Sequence, residues 1–176
     1  MNQEDKYSGL YWMTEEIRND LSNRDKIVEA QDINALFKLN DNSDFSIALH
    51  EILVNRYEKS TDNLNPIELN LFLAMHLENA GQADSILTFL QEWFPQYSEK
   101  VIHSLTEIGA IKSSKIIKQA VDILPKDGSW FFNSSNETEQ NFMRKLDVAF
   151  SNYPDGNMRD LYRNYADKNR DKVLVN

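Results

Sequence analysis

Apolar residues recur at three- and four-residue intervals along almost the whole chain of 176 residues. Leu10, Met13, Ile17 and Leu21 show this spacing near the start, and residues 69–77, 101–108 and 142–150 repeat it. Such spacing places apolar side chains on one face of an α-helix. Apart from the short end at 173–175, we find none of the two-residue alternation typical of strands. The pattern predicts an all-α fold: a single compact domain of about seven to eight short helices.

Two helix starts are marked by the residues that cap helices. Asn65 precedes Pro66, and Glu68 follows three positions after Asn65. An asparagine cap, a proline in the first turn and a glutamate at the third position together satisfy the free backbone N–H groups of a helix start. Residues 136–139 repeat the pattern with Asn136 and Glu139, so we predict helices that begin at both places.

Three positions are predicted to end helices. Pro95 cannot continue a helix. Gly109 follows an apolar-periodic segment and is predicted as its left-handed C-terminal cap. The pair Ala80-Gly81 predicts an earlier break, with Gly81 also in a left-handed cap. A partner-binding corner at Glu78 and Asn79 is the alternative interpretation of this segment.

Composition limits the class of protein. The sequence is 41% hydrophobic and contains no cysteine, so it can form a packed core but has no disulfides, thiol nucleophiles or thiolate metal ligands. Its acidic start lacks the basic and apolar regions of a signal peptide. We find no apolar run of the roughly 18 residues that a membrane span needs. We expect a cytoplasmic protein with no membrane association.

The negative charge is concentrated in the first part of the chain. Residues 1–92 contain 17 acidic and 7 basic residues, whereas residues 93–176 contain 11 and 12, and the total net charge is -9. The stretch 60–99 has no lysine or arginine. It contains the six acids that we predict to bind a partner: Asp62, Glu68, Glu78, Asp84, Glu92 and Glu99.

A surface with one sign of charge repels nucleic acid and attracts basic proteins. The expected partner is therefore a basic protein, such as a DNA-binding protein, and not nucleic acid itself. A role as an immunity or antitoxin-like protein against a basic toxin depends on the same physics. Charge that serves solubility alone is a further alternative, and so is an enzyme with several of these acids around one pocket.

No catalytic or metal-binding motif accompanies these acids. The three histidines, His50, His76 and His103, do not have the spacing of a two-histidine metal motif. His76 lies on an apolar helix face and is predicted as a core residue. The sequence also contains no Gly-x-Ser-x-Gly motif and no glycine-rich phosphate loop. We therefore predict no metal, no cofactor and a non-enzymatic protein.

Residues 130–132 are three adjacent aromatic residues, Trp130, Phe131 and Phe132. They cannot all face one side of the chain. We expect one or two of them to anchor a loop on the core, and the alternative is an exposed contact in a homodimer.

The central part of the chain resembles a known family. Residues 78–81 read Glu-Asn-Ala-Gly, an aromatic helix runs to Pro95, and residues 105–110 and 116–120 read Leu-Thr-Glu-Ile-Gly-Ala and Ile-Ile-Lys-Gln-Ala. This order is similar to that of a bacterial helical domain family of mostly unknown function, typified by the C-terminal domain of an acidic DNA-mimic protein. The family pattern has Gly-Gly where this chain has Ala80-Gly81. The matching motif residues are Glu78, Asn79, Gly81, Gly109, Ala110 and Ala120.

The resemblance implies a helical domain of this DNA-mimic type over residues 61–170. Residues 1–60 lie outside the resemblance, and we predict that they form an N-terminal helical segment of the same fold. It also implies a role: a protein that imitates the charge of duplex DNA and occupies the nucleic-acid-binding surface of another protein.

Overall fold

The computed structural model describes residues 6, 7 and 9–174, with every side chain among them except that of Asp62. These residues form nine α-helices and no strand. The helices are α1 (Glu15–Ala30), α2 (Ile33–Leu36), α3 (Asn42–Lys59), α4 (Pro66–Ala83), α5 (Ser98–Ile108), α6 (Ile111–Asp122), α7 (Phe131–Ser134), α8 (Glu137–Ser151) and α9 (Met158–Lys168). All except α2 and α7 have 11 residues or more. The predicted all-α fold is confirmed.

The predicted helix starts are confirmed in atomic detail. Asn65 Oδ1 accepts hydrogen bonds from the backbone N–H groups of Ile67 and Glu68, and Glu68 Oε2 accepts one from the N–H of Asn65 at 3.0 Å. Asn136 and Glu139 form the same reciprocal pair at the start of α8. These bonds occupy donors that would otherwise lack partners in the first helical turn.

The aromatic segment before Pro95 is wound more loosely than an α-helix. Thr88–Trp93 is π-helical, and the N–H of Phe94 donates to the carbonyl of Phe89, five residues earlier, at 3.0 Å. Pro95 then begins a 3₁₀ turn. Because a π-helix has more residues per turn than an α-helix, it presents a different set of side chains to its neighbours.

Helix α4 forms the centre of the molecule. Leu71, Leu73, Ala74 and Leu77 have no exposed surface, and these residues cover more than one face of the helix. A helix that is apolar all round must be surrounded by other elements. Helix α4 accordingly contacts α3, α5, α8 and the π-helical segment.

The predicted helix break at Gly81 is wrong. Helix α4 continues to Ala83, and Gly81 is buried within it. A Cβ atom at Gly81 would lie 3.0 Å from two carbons of the Phe150 ring. Gly81 therefore allows α8 to pack closely on α4, which is a tertiary requirement that helix-stop rules do not detect. The predicted cap at Gly109 is confirmed, with φ at 95°.

No helix in the described ranges is both long and apolar enough to cross a lipid bilayer.

Candidate functional site

Three of the six predicted partner-binding acids are exposed. Asp84 ends α4, Glu92 belongs to the π-helical segment and Glu99 lies in the first turn of α5. Within the part of the chain that the structure describes, no salt bridge involves any of the three. The side chain of Asp62, a fourth member of the set, lies outside the described atoms.

Tertiary packing adds a carboxylate next to Asp84. Asp147 of α8 accepts a hydrogen bond from the backbone N–H of Ile86 at 2.8 Å. Burial raises the pKa of Asp147, and the negative charge of Asp84 raises it further. Asp84 and Asp147 therefore form a like-charged pair, which a cation from outside the chain would stabilise.

Glu99 is less available than Asp84 for contact with a basic partner. Lys118 of α6 interacts electrostatically with Glu99, which contributes to a raised pKa for Lys118, although the main cause is a hydrogen bond to Asp122. The negative charge of residues 60–99, which contain no lysine or arginine, is thus partly neutralised by Lys118 from another part of the chain.

Glu68 was wrongly predicted to bind a partner. Its side chain is 1% exposed and forms a salt bridge with the guanidinium of Arg56 at 3.0 Å. Glu68 Oε1 also accepts from the backbone N–H of Leu174 at 2.7 Å. Arg56 in turn donates to the carbonyl of Leu174. The pair therefore fastens the C-terminal residues to α3 and α4 and cannot contact another protein.

Helix α3 carries two exposed acids that are not among the six acids predicted to bind a partner. Glu51 and Glu58 are exposed and lie seven residues apart, which puts them on the same helix face about 10 Å from each other. The seven-residue spacing of these two acids is the sequence feature that could have indicated a shared acidic face on α3. Neither takes part in a salt bridge among the described residues.

Glu78 lies at a cavity of about 510 Å³ between α3, α4, α9 and the turn at Tyr153, which we call the corner cavity. Its lining includes Ser46, His50, Glu78, Asn79, Tyr153 and Arg159. Glu78 is the one member of the predicted acidic set in this lining. A carboxylate-lined pocket requires several of those acids around one cavity. The lining of this cavity contains one of them and so does not meet that requirement.

Glu78 accepts a hydrogen bond from within the chain. The hydroxyl of Tyr162 donates to Glu78 Oε2 at 2.8 Å. Burial raises the pKa of Tyr153, and the charge of Glu78 raises it further. Burial raises the pKa of Tyr162 well above its ordinary value, and the charge of Glu78 adds to this. Tyr162 therefore stays protonated and can act as a donor at any physiological pH.

His50 and His76 form a neutral pair beside the cavity. His50 Nε2 and His76 Nδ1 are 3.0 Å apart, and His76 Nδ1 is also 3.1 Å from the carbonyl oxygen of Phe72. A carbonyl only accepts, so His76 Nδ1 carries the proton and His50 Nε2 accepts. Burial, followed by the neighbouring His76, lowers the pKa of His50 to about 4. The prediction that His76 is a core residue fits this arrangement.

One wall of the cavity contains a buried hydroxyl group without a partner. Ser46 is 6% exposed, and its Oγ has no hydrogen-bond partner among the described residues. A buried polar atom of this kind is rare and requires an explanation. No group of three or more residues suited to a metal ion occurs in the described part of the chain.

The remaining motif residues are structural. Gly109 caps α5, Ala110 precedes α6 and Ala120 lies within α6, and both alanines are fully buried. Their small side chains permit the close α5–α6 contact.

The model of a protein family described as DMP19-like protein matches residues 62–169. The chain belongs to the DMP19-like protein family. The family resemblance drawn from the sequence motifs is confirmed. No curated protein and no solved structure matches the chain significantly.

The DMP19-like match covers α4 to α9 and therefore includes Asp84, Glu92, Glu99 and Asp147. It includes only part of the corner cavity. Ser46 and His50 belong to α3, which precedes the matched residues.

The aromatic residues 130–132 have different environments. Phe131 is fully buried and Trp130 packs partly against the core, whereas Phe132 is 37% exposed. The expected anchoring of the loop by one or two of them is confirmed. A homodimer contact through Phe132 stays a prediction.

Proposed function

We propose that this DMP19-like protein is a non-enzymatic interaction protein that acts as a DNA mimic. Its exposed carboxylates would occupy the basic, nucleic-acid-binding surface of a partner protein. The family match and the net charge of -9 support this function.

The observation that carries the proposal is that Asp84 and Glu92 are exposed and form no salt bridge among the described residues. The chain has 19 lysines and arginines, yet no salt bridge among the described residues neutralises these two acids. The like-charged neighbour Asp147 makes the surface at Asp84 more negative. Duplex DNA presents one negative charge per about 1.7 Å of axis, so a protein that binds DNA offers lysines and arginines suited to such a surface.

The charges that bind the partner are expected to lie on a solvent-exposed face. Contacts of this type are screened by salt, because the Debye length falls from about 10 Å at 0.1 M to about 3 Å at 1 M ionic strength. Binding should therefore be steeply salt-dependent and should compete with duplex DNA.

The test is affinity capture from native lysate at low and high salt, with duplex DNA as competitor. We expect capture of a DNA-binding protein at low salt that is released by high salt and by duplex DNA. The double variant Asp84→Asn/Glu92→Gln should weaken that capture roughly 2- to 30-fold.

The control variant Glu137→Gln/Asp171→Asn removes the same two charges from exposed positions in the second half of the chain. It should leave capture unchanged within about twofold. Equal losses in the two double variants would show that only the net charge matters and would refute the proposed surface. Capture of a basic toxin that duplex DNA does not displace would favour the immunity-like alternative.

A further inference from the structure

The corner cavity contains one acidic and one basic side chain that do not pair with each other. Glu78 and Arg159 both contribute to its lining, but they form no salt bridge within 4.0 Å in the described structure. Tyr153 belongs to the same lining. A ligand in this cavity would therefore contact a carboxylate and a guanidinium together.

The position of each charge is fixed by other contacts. Glu78 accepts a hydrogen bond from the hydroxyl group of Tyr162. Arg159 donates to the hydroxyl of Ser43 on α3. A charged group that is already oriented loses less conformational entropy when a ligand binds.

Tyr153 itself has an unusual backbone. Its φ is 53°, in the left-handed region that a residue with a large side chain seldom adopts. Tyr153 forms part of the cavity lining.

From this geometry we infer that the corner cavity is a binding site for a small zwitterion of the α-amino acid class. Arg159 binds the carboxylate of the ligand and Glu78 binds its ammonium group. A simple anion would be repelled by Glu78 and a simple cation by Arg159, so the pair selects a molecule with both charges. A volume of about 510 Å³ lies within the range of small-molecule sites.

This site is separate from the exposed acids Asp84 and Glu92, and the inference does not rest on the proposed DNA mimicry. The neutral His50 adds no charge to the cavity at neutral pH, so the balance between Glu78 and Arg159 is preserved.

The test uses the full chain and each standard L-amino acid as a probe, measured by thermal shift and isothermal titration calorimetry. At a ligand concentration of about ten times Kd we expect the Tm to rise by roughly 3–6 °C. For the amino acid that binds most tightly, the carboxylic acid without the amine and the amine without the carboxylate should each bind at least about tenfold more weakly.

The variants Glu78→Gln and Arg159→Gln should each raise Kd roughly 10- to 100-fold. The matched controls Glu137→Gln and Arg144→Gln change exposed residues on α8 and should leave Kd unchanged within about twofold. Circular dichroism would identify a variant that fails to fold, in which case the other variant still tests the site.

Absence of binding by any standard amino acid at about 10 mM would overturn the inference, since that limit corresponds to a very weak site. Equal binding of the one-charge analogues would overturn it as well, because the paired charges would then play no part in recognition.

Discussion

The buried ion pair between Arg56 and Glu68 provides the sharpest test of the fold. Glu68 Oε1 accepts from Arg56 at 3.0 Å and from the N–H of Leu174 at 2.7 Å, and Glu68 Oε2 accepts from the N–H of Asn65 at 3.0 Å. In Glu68→Gln one of these oxygens becomes an NH₂ group that faces a donor. The Arg56 guanidinium then lies buried beside a neutral amide.

Breaking a buried pair by changing one partner costs about 3–5 kcal/mol. For a chain of 176 residues each kcal/mol corresponds to roughly 2–4 °C, so we expect the Tm to fall by roughly 6–20 °C. Urea and thermal denaturation followed by circular dichroism would measure both quantities. Glu92→Gln is the matched control, because Glu92 is exposed and its change should alter stability by no more than about 0.5 kcal/mol.

A loss below about 1 kcal/mol in Glu68→Gln would refute the assignment of Glu68 as a structural residue. The double variant Arg56→Met/Glu68→Met should be more stable than Glu68→Gln, since replacing both buried charges with apolar groups of similar size removes the unpaired charge. If the double variant is instead less stable than Glu68→Gln, the loss of stability in Glu68→Gln arises from packing and not from the unpaired charge.

Further predictions concern the two glycines and the histidine pair. Gly81→Ala should lower the free energy of unfolding by about 0–2 kcal/mol, because the cost of its Cβ against the Phe150 ring exceeds the gain of about 1 kcal/mol in helix propensity, and urea denaturation that shows a clear gain in stability would contradict this. Gly109→Ala should cost about 1–2 kcal/mol from its left-handed backbone alone, so a further Gly109→Asn variant should recover part of that loss in the same assay. Since the pKa of His50 falls to about 4 in the folded state from 6.5, its contribution to stability is complete above pH 6.5 and is lost as pH falls towards 4, by roughly 3 kcal/mol in all. His50→Gln should flatten this dependence in urea titrations between pH 7 and pH 4.5, whereas a change at the exposed His103 should preserve it.

Much of the secondary structure was predictable because its causes are local. The capping box at Asn65 and Glu68, and the cap at Gly109, depend on groups within three or four residues of each other. Such interactions are visible in a sequence window of one or two helical turns.

The sequence predicts the total charge of a segment but not which of its charged side chains are exposed. The sequence shows that residues 60–99 contain six acids and no cation. It does not show which of them face water, because Glu68 pairs with Arg56 from the preceding helix and Glu78 is held by Tyr162 from the last one.

The all-α class, two helix starts, the negative first half and the family motif can all be read from the order of residues. That Gly81 lies within a helix against Phe150, and that Glu78 and Arg159 line one cavity, follows only from folding. The difference lies in the range of the interactions. Caps and helical periodicity act between near neighbours in the chain, whereas burial, close packing and the pairing of charges depend on residues that only folding brings together.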